Sequence, residues 1–193
     1  MSDLVPLTGE PLALDLVNTR PSTGDLLASP DGLREWWTLQ AARLPDEVPQ
    51  EIGAEDLAAV RAVREHTARV LDHVRRGEEP LAADLRALNR AQRAAPAISE
   101  LGWTGSALAL VRRREGSPGR RLAACLAEAA ADLLVDPAVA TIRECEADDC
   151  VMLFLPTHPR RRWCSAARCG NRMRVARHYQ RQKAGEPKRP EGR

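Results

Sequence analysis

Residues 145–172 read CEADDCVMLFLPTHPRRRWCSAARCGNR, and the four cysteines in this stretch decide how the C-terminal part of the chain folds. Cys145 and Cys150 form a C-x4-C pair, thirteen residues follow, and Cys164 and Cys169 form a second pair of the same spacing. Two such pairs can close a tetrahedral thiolate shell around one zinc ion, Zn2+. Four thiolates leave no open coordination position, so the expected ion is structural rather than catalytic. His158 is the only nearby spare ligand, and the prolines around it make it a loop residue. Residues on either side of the first pair, 141–144 and 151–155, favour strand, which puts that pair at a hairpin tip. A loop from Pro156 to Pro159 then delivers Cys164. Gly170 to Lys183 has helical spacing, placing Cys169 where free N–H groups at a helix start stabilise negative sulfur. Met173, Ala176 and Tyr179 (or Gln180) are expected to face inward on that helix. Hairpin, loop and helix together predict a treble-clef-like finger.

The same stretch is densely basic. From Arg160 to Lys183 there are nine Lys or Arg and no Asp or Glu. Arg160, Arg161 and Arg162 precede the second cysteine pair, and Arg168 and Arg172 flank Cys169. Arg174, Arg177, His178 and Arg181 recur at spacings of three and four, forming one polar stripe. Guanidinium suits phosphate and can read guanine edges, so these residues are the candidate contacts to double-stranded DNA. The plainer alternatives are a solvated face and neutralisation of a dianionic zinc–tetrathiolate. Charge divides along the chain in the same sense. Residues 1–140 hold 16 basic and 21 acidic residues, net −5, whereas 141–193 hold 13 and 6, net +7. Polyanions should therefore be drawn to the C-terminal part. Arginine supplies 27 of the 29 basic residues, a bias that a GC-rich bacterial genome also produces, so arginine content alone does not establish nucleic-acid binding.

Working toward the N-terminus, apolar periodicity predicts helices. Ser29-Pro30 reads as an N-cap with proline at the first position, followed by Leu33, Trp36, Trp37, Ala41 and Leu44. A longer helix fits 54–76, capped by Gly77, and another fits 80–93. Residues 98–114 read as a small hairpin, and helix returns at 120–135. The fold class expected is α+β, a mostly helical N-terminal domain with a small antiparallel sheet (1–138), then the finger (139–183) packed close to the last helix. Residues 184–193, rich in Gly, Pro and charge, are expected to be a disordered tail.

No apolar run approaches the roughly 20 residues a spanning helix needs, and Met1 to Leu4 lack the start of a signal peptide. The expected location is the cytoplasm, where paired cysteines favour metal over disulfides. Cys125 lies on an apolar helical stripe and reads as core. There is no phosphate loop, HExxH or nucleophile elbow, and an enzyme is not expected. His66 and His73 share a helical face too far apart for one metal and read as solvent-facing.

Cys169-Gly170-Asn171-Arg172 spells CGNR and, with the cysteine spacing, resembles the bacterial CGNR zinc-finger family. Proteins of that family carry an N-terminal ABATE domain, named as a stress-induced transcription regulator. Leu12 to Thr19, LALDLVNT, looks like the opening ABATE motif, an apolar strand ending in Asn-Thr. The resemblance spans about residues 10–183 and implies DNA binding through the finger. In such a strand Asp15 would share the face of Val17 and Thr19, and Asn18 that of Leu14 and Leu16. Asp15 and Asn18 then read either as hydrogen-bonding groups capping a neighbouring helix or as the lining of a small-molecule effector pocket, with Trp36, Trp37 and Trp103 as walls or as core. Asn171 suits an early-helix backbone contact, and Arg172 a phosphate or a carboxylate. The functional expectation is a zinc-dependent DNA-binding transcriptional regulator, a homodimer being the arrangement that doubles the contact of one short finger. The alternative is a zinc-stapled interaction protein that binds structured RNA or a protein partner.

Overall fold

A computed structural model describes residues 8–185 of the chain. Its largest element, α3 (Ala54–Arg75), buries Leu57, Val60, Val63, Val70 and Leu71, the three-and-four spacing of a one-sided apolar helix. Gly77 ends it at φ +70, with Gly77 N–H bonded to the Val74 carbonyl and Glu78 N–H to that of His73. This is a glycine-dependent terminus that a side chain at Gly77 would strain. α4 (Ala82–Ala94) and α5 (Pro118–Val135) pack with α3 as a three-helix unit. Gly119 allows the closest approach: a Cβ there would sit 2.2 Å from Cβ of Asp56. The bare backbone instead donates Gly119 N–H to Asp56 at 3.0 Å.

α2 (Pro30–Gln40) starts as the sequence predicts, with Ser29 Oγ accepting from Gly32 N–H at 3.2 Å. It lays Trp36 and Trp37, both essentially inaccessible, into the main core beside Leu16, Val60, Leu122 and Leu126. Cys125 packs half-buried against that core. β1 (Ile98–Trp103) and β2 (Leu108–Arg113) form the expected antiparallel hairpin, with Leu101 opposite Leu110 and Trp103 opposite Leu108.

The expected strand at 12–19 is corrected. Leu12–Val17 is a short helix, α1, burying Ala13, Leu14, Asp15 and Leu16 together. A strand would divide these residues between two faces, only one of which could reach the core. One helical turn and a half instead packs them against α3 and α5, and burying Leu14 and Leu16 is worth roughly 2 kcal/mol each. Trp103 is also corrected: it is exposed on the hairpin and lines no pocket with the other tryptophans. His66 and His73 are not simply solvent-facing. His66 Nδ1 lies 2.6 Å from Asp84, and His73 Nδ1 lies 3.3 Å from Glu78.

After a short turn at Pro137–Thr141 come β3 (Arg143–Glu144), β4 (Leu153–Phe154) and α6 (Asn171–Gly185). The described part is thus a helical body with one hairpin, followed by a cysteine-rich hairpin-and-helix unit of treble-clef type. The tail expected at 184–193 falls largely outside the described residues. No described helix is long and apolar enough to cross a membrane.

Candidate functional site

β3 and β4 pair Glu144 with Leu153, and the next rung, Cys145 N–H to the Met152 carbonyl at 2.9 Å, leads straight into the cysteine turn. The turn closes through Cys150 N–H to the Ala147 carbonyl at 3.1 Å. Asp149 takes the left-handed conformation at φ 60, which aspartate tolerates better than most residues. On the other side, Ser165 Oγ accepts from Arg168 N–H at 3.2 Å and starts a wide single turn, Ala166–Gly170, that carries Cys169 into α6. Gly170 packs beneath Trp163: a Cβ there would come 3.3 Å from the indole. That contact gives the glycine of the CGNR run a steric reason.

These pieces bring the sulfurs of Cys145, Cys150, Cys164 and Cys169 within 4.8 Å of one another. Cys150–Cys164, Cys164–Cys169 and Cys169–Cys150 are 3.8, 3.6 and 3.7 Å apart. A tetrahedron with Zn–S bonds of about 2.3 Å has edges of about 3.8 Å. The donor set therefore fits one structural zinc, and the cluster can hold it without rearrangement. At Cys145, burial opposes ionisation, but the N–H groups of Cys164 (3.3 Å) and Ala147 outweigh it and lower its pKa. Burial, reinforced by the neighbouring Cys145 charge, pushes Cys150 up to about 11 and Cys164 higher still. A divalent cation is what allows all four to be thiolates together. Met152, Phe154, Trp163 and Met173 pack around the cysteines as a third, small core.

The finger is seated on the helical body. Ile142 and Leu153 belong to a core with Ala13, Leu14, Leu71, Ala130, Leu133 and Val139. Because the Cys145–Met152 rung is hydrogen-bonded, Glu144–Leu153 is the alternate, open pair, and the Leu153 N–H and carbonyl point away from β3. Asn18 takes both. Its Nδ2 donates to the Leu153 carbonyl at 2.8 Å and its Oδ1 accepts Leu153 N–H at 2.8 Å. Glu10 accepts Leu155 N–H at 2.9 Å, and Ser22 Oγ donates to the Asp149 carbonyl at 2.5 Å. Asn18 ends α1 as its C-cap through its own backbone, while its side chain, rather than lining a pocket, substitutes for a third strand. Asp15 is equally internal, accepting from Gly9 N–H, Glu10 N–H, Gln40 and Arg43. Burial nonetheless pushes its carboxyl above the usual carboxylate value, against the pull of Arg43.

The arginines divide into two groups. Arg161 points inward, donating to Glu10 at 2.5 Å and to the carbonyls of Leu155, Trp163 and Cys164, with its guanidinium 4.5 Å over the Phe154 ring. Arg162 pairs with Glu146 at 2.5 Å and lies over Trp163, and each partner's pKa moves in favour of the ion pair through that hydrogen bond. Arg172 donates to the Asp148 carbonyl at 2.8 Å and stands 3.9 Å from the Cys169 sulfur, where it offsets thiolate charge. Arg160, Arg174, Arg177 and Arg181 form no ion pair with an acidic side chain among the described residues, although Arg177 lies near enough to Glu146 to help lower its pKa; these four are exposed, as are Arg168 and His178. Arg177 lies 6.0 Å over Trp163, and Arg174 Nε reaches the Gly170 carbonyl at 3.3 Å. His158 is an exposed loop residue whose Nδ1 accepts Arg160 N–H at 3.1 Å, away from the metal cluster. Tyr179, expected inward, is exposed, because the small core reaches only Met173 and partly Ala176 on α6. Asn171, exposed, is the first residue of α6. Sequence reading missed Glu10, Ser22 and Glu146, whose role comes from contacts that no local pattern encodes.

Two family models match the chain. Residues 10–137 match ABATE, described as "Putative stress-induced transcription regulator", and residues 141–182 match the CGNR zinc finger. No curated protein matches it. Both families are regulatory rather than catalytic, in keeping with a site whose four cysteines leave no coordination position for a substrate. With its cysteine cluster and both matches in register with the fold, the chain belongs to the ABATE family and carries a CGNR zinc finger.

Proposed function

We propose that this protein is a cytoplasmic, zinc-dependent transcriptional regulator that contacts double-stranded DNA through the finger and α6. The observation that carries this reading is the distribution of guanidinium groups. Arg161, Arg162 and Arg172 are engaged within the finger, whereas Arg160, Arg174, Arg177 and Arg181 project from it with no described ion pair. A predominantly cationic surface gains counterion-release free energy on a phosphate backbone, and its helix can then present side chains to a groove. Arg168 and His178 border the same surface. The helical body, with its net negative charge, is assigned to effector sensing or dimerisation.

Zinc-loaded full-length protein, incubated with genomic duplex fragments over a salt series and followed by sequencing of what is retained, tests the reading. Salt-sensitive retention of an enriched sequence is expected. Replacing Arg174, Arg177 and Arg181 by Ala should reduce the slope of log K against log salt by about 3 while the melting temperature stays put. Absence of binding at low salt overturns the proposal and directs attention to structured RNA or a protein partner.

A further inference from the structure

The β1–β2 hairpin stands clear of the helical body, touching it closely only near its base, where Arg114 bonds the Ala95 carbonyl and pairs with Glu128. Paired residues in an antiparallel ribbon share a face, so three rungs define one side of it: Ser99 with Arg112, Leu101 with Leu110, and Trp103 with Leu108. On that side Leu101, Trp103, Leu108 and Leu110 are between 67% and 76% exposed. The opposite side exposes Ile98 (54%) and Val111 (39%) but is broken up by half-buried Gly102 and Ala109 and by the Arg113–Glu100 pair at 3.2 Å. A lone two-stranded hairpin is marginal in water, and a contiguous apolar face of this kind on a monomer marks an interaction site.

We propose that this face is the dimer interface and that its occupant is a second copy of the same chain. The order of the rungs is the argument. Arg112 stands at one end of the face, the leucine pair in the middle and Trp103 at the other end. A two-fold axis through the Leu101–Leu110 rung stacks leucine pair on leucine pair. It also lays Arg112 of each copy against Trp103 of the other, a cation over an aromatic face, made twice. The face holds no second charge to be left unpaired. Its four exposed apolar side chains offer roughly 600 Å2 per copy, so two copies can bury at most about 1,200 Å2 through them, the size at which stable, specific interfaces begin. This inference does not rest on DNA binding, although a two-fold dimer would present two fingers to a two-fold operator.

Sedimentation velocity of zinc-loaded full-length protein without DNA, from about 1 to about 100 µM, tests it. A concentration-dependent dimer is expected. The double substitution Leu101→Glu and Leu110→Glu should raise the dissociation constant at least about 100-fold with unchanged far-UV dichroism, zinc content and melting temperature. Arg112→Glu should also weaken the dimer, and Val111→Ser on the other side should not. A wild type that remains monomeric throughout overturns the proposal and makes the face a site for a different protein. A dimer indifferent to the double substitution overturns it equally. Because no DNA is present, either failure is independent of the fate of the DNA reading.

Discussion

Replacing Asn18 by Ala should loosen the finger from the body while leaving both intact. The side chain makes two hydrogen bonds of 2.8 Å to the Leu153 backbone, and both groups lie inside the structure, where water cannot replace it. Stranding a buried backbone donor or acceptor costs about 1–3 kcal/mol, and the Leu153 N–H and carbonyl are both stranded, so the change should cost about 3 kcal/mol. For a chain of this size that corresponds to a fall in melting temperature of about 6–12 °C. Calorimetry of the zinc-loaded variant gives the shift directly, and zinc transfer to a chromogenic chelator reports how often the finger opens. Both should change together. Asn18→Asp should cost at least as much as Asn18→Ala, because it keeps one acceptor but turns a carboxylate toward the Leu153 carbonyl. A shift below about 1 °C with an unchanged zinc-transfer rate would refute the reasoning, since the joint would then be held by the Ile142 and Leu153 side chains and the Glu10, Ser22 and Arg161 bonds without help from Asn18.

Metal analysis should find one zinc per chain, and Cys164→Ser or chelation should abolish the finger's protease resistance while most helical dichroism survives. Arg161→Ala should lower thermal stability and speed zinc loss, because it unties Glu10 and three carbonyls at once, whereas Arg177→Ala should affect nucleic-acid affinity and spare stability. The Arg64 guanidinium, bonded at 2.5 and 2.8 Å, holds the Asp25 carboxyl below its ordinary value of 3.8. Its contribution is therefore fully present above that value and is lost as pH falls through the lower folded-state pKa. Asp25→Asn should destabilise the protein by about 3 kcal/mol at pH 7 by stranding a buried guanidinium, and denaturant titrations should show the gap from wild type closing below pH 3.8.

The metal centre was legible because its information is local: four thiols at fixed spacing, flanked by strand and helix formers, leave few other arrangements. Helices α2 to α5 were legible for a related reason, since their apolar residues recur with the helical period. α1 was not. Leu12 to Val17 has one polar residue among six, so neither period stands out, and only the distribution of burial between α3 and α5 selects helix. The arginine-rich stretch left its division of labour open. No acid lies nearby in sequence, yet Arg161 finds Glu10, 151 residues away, and Arg162 finds Glu146. Asn18 and Leu153 are separated by 135 residues, so the seat of the finger could not be read from either segment.

Ile142 and Leu153 lie in the same core as Leu14, Leu71 and Leu133, while Cys145 and Met152, their near neighbours along the chain, lie in the core around the metal. Metal occupancy and the seating of the finger on the helical body are therefore coupled equilibria. Coupling between sites is reciprocal: whatever zinc contributes to holding the hairpin in place tightens α1 against α3 and α5, and a molecule that tightened those helices would raise zinc affinity by the same factor. The chain's survival against proteolysis would then follow its zinc occupancy.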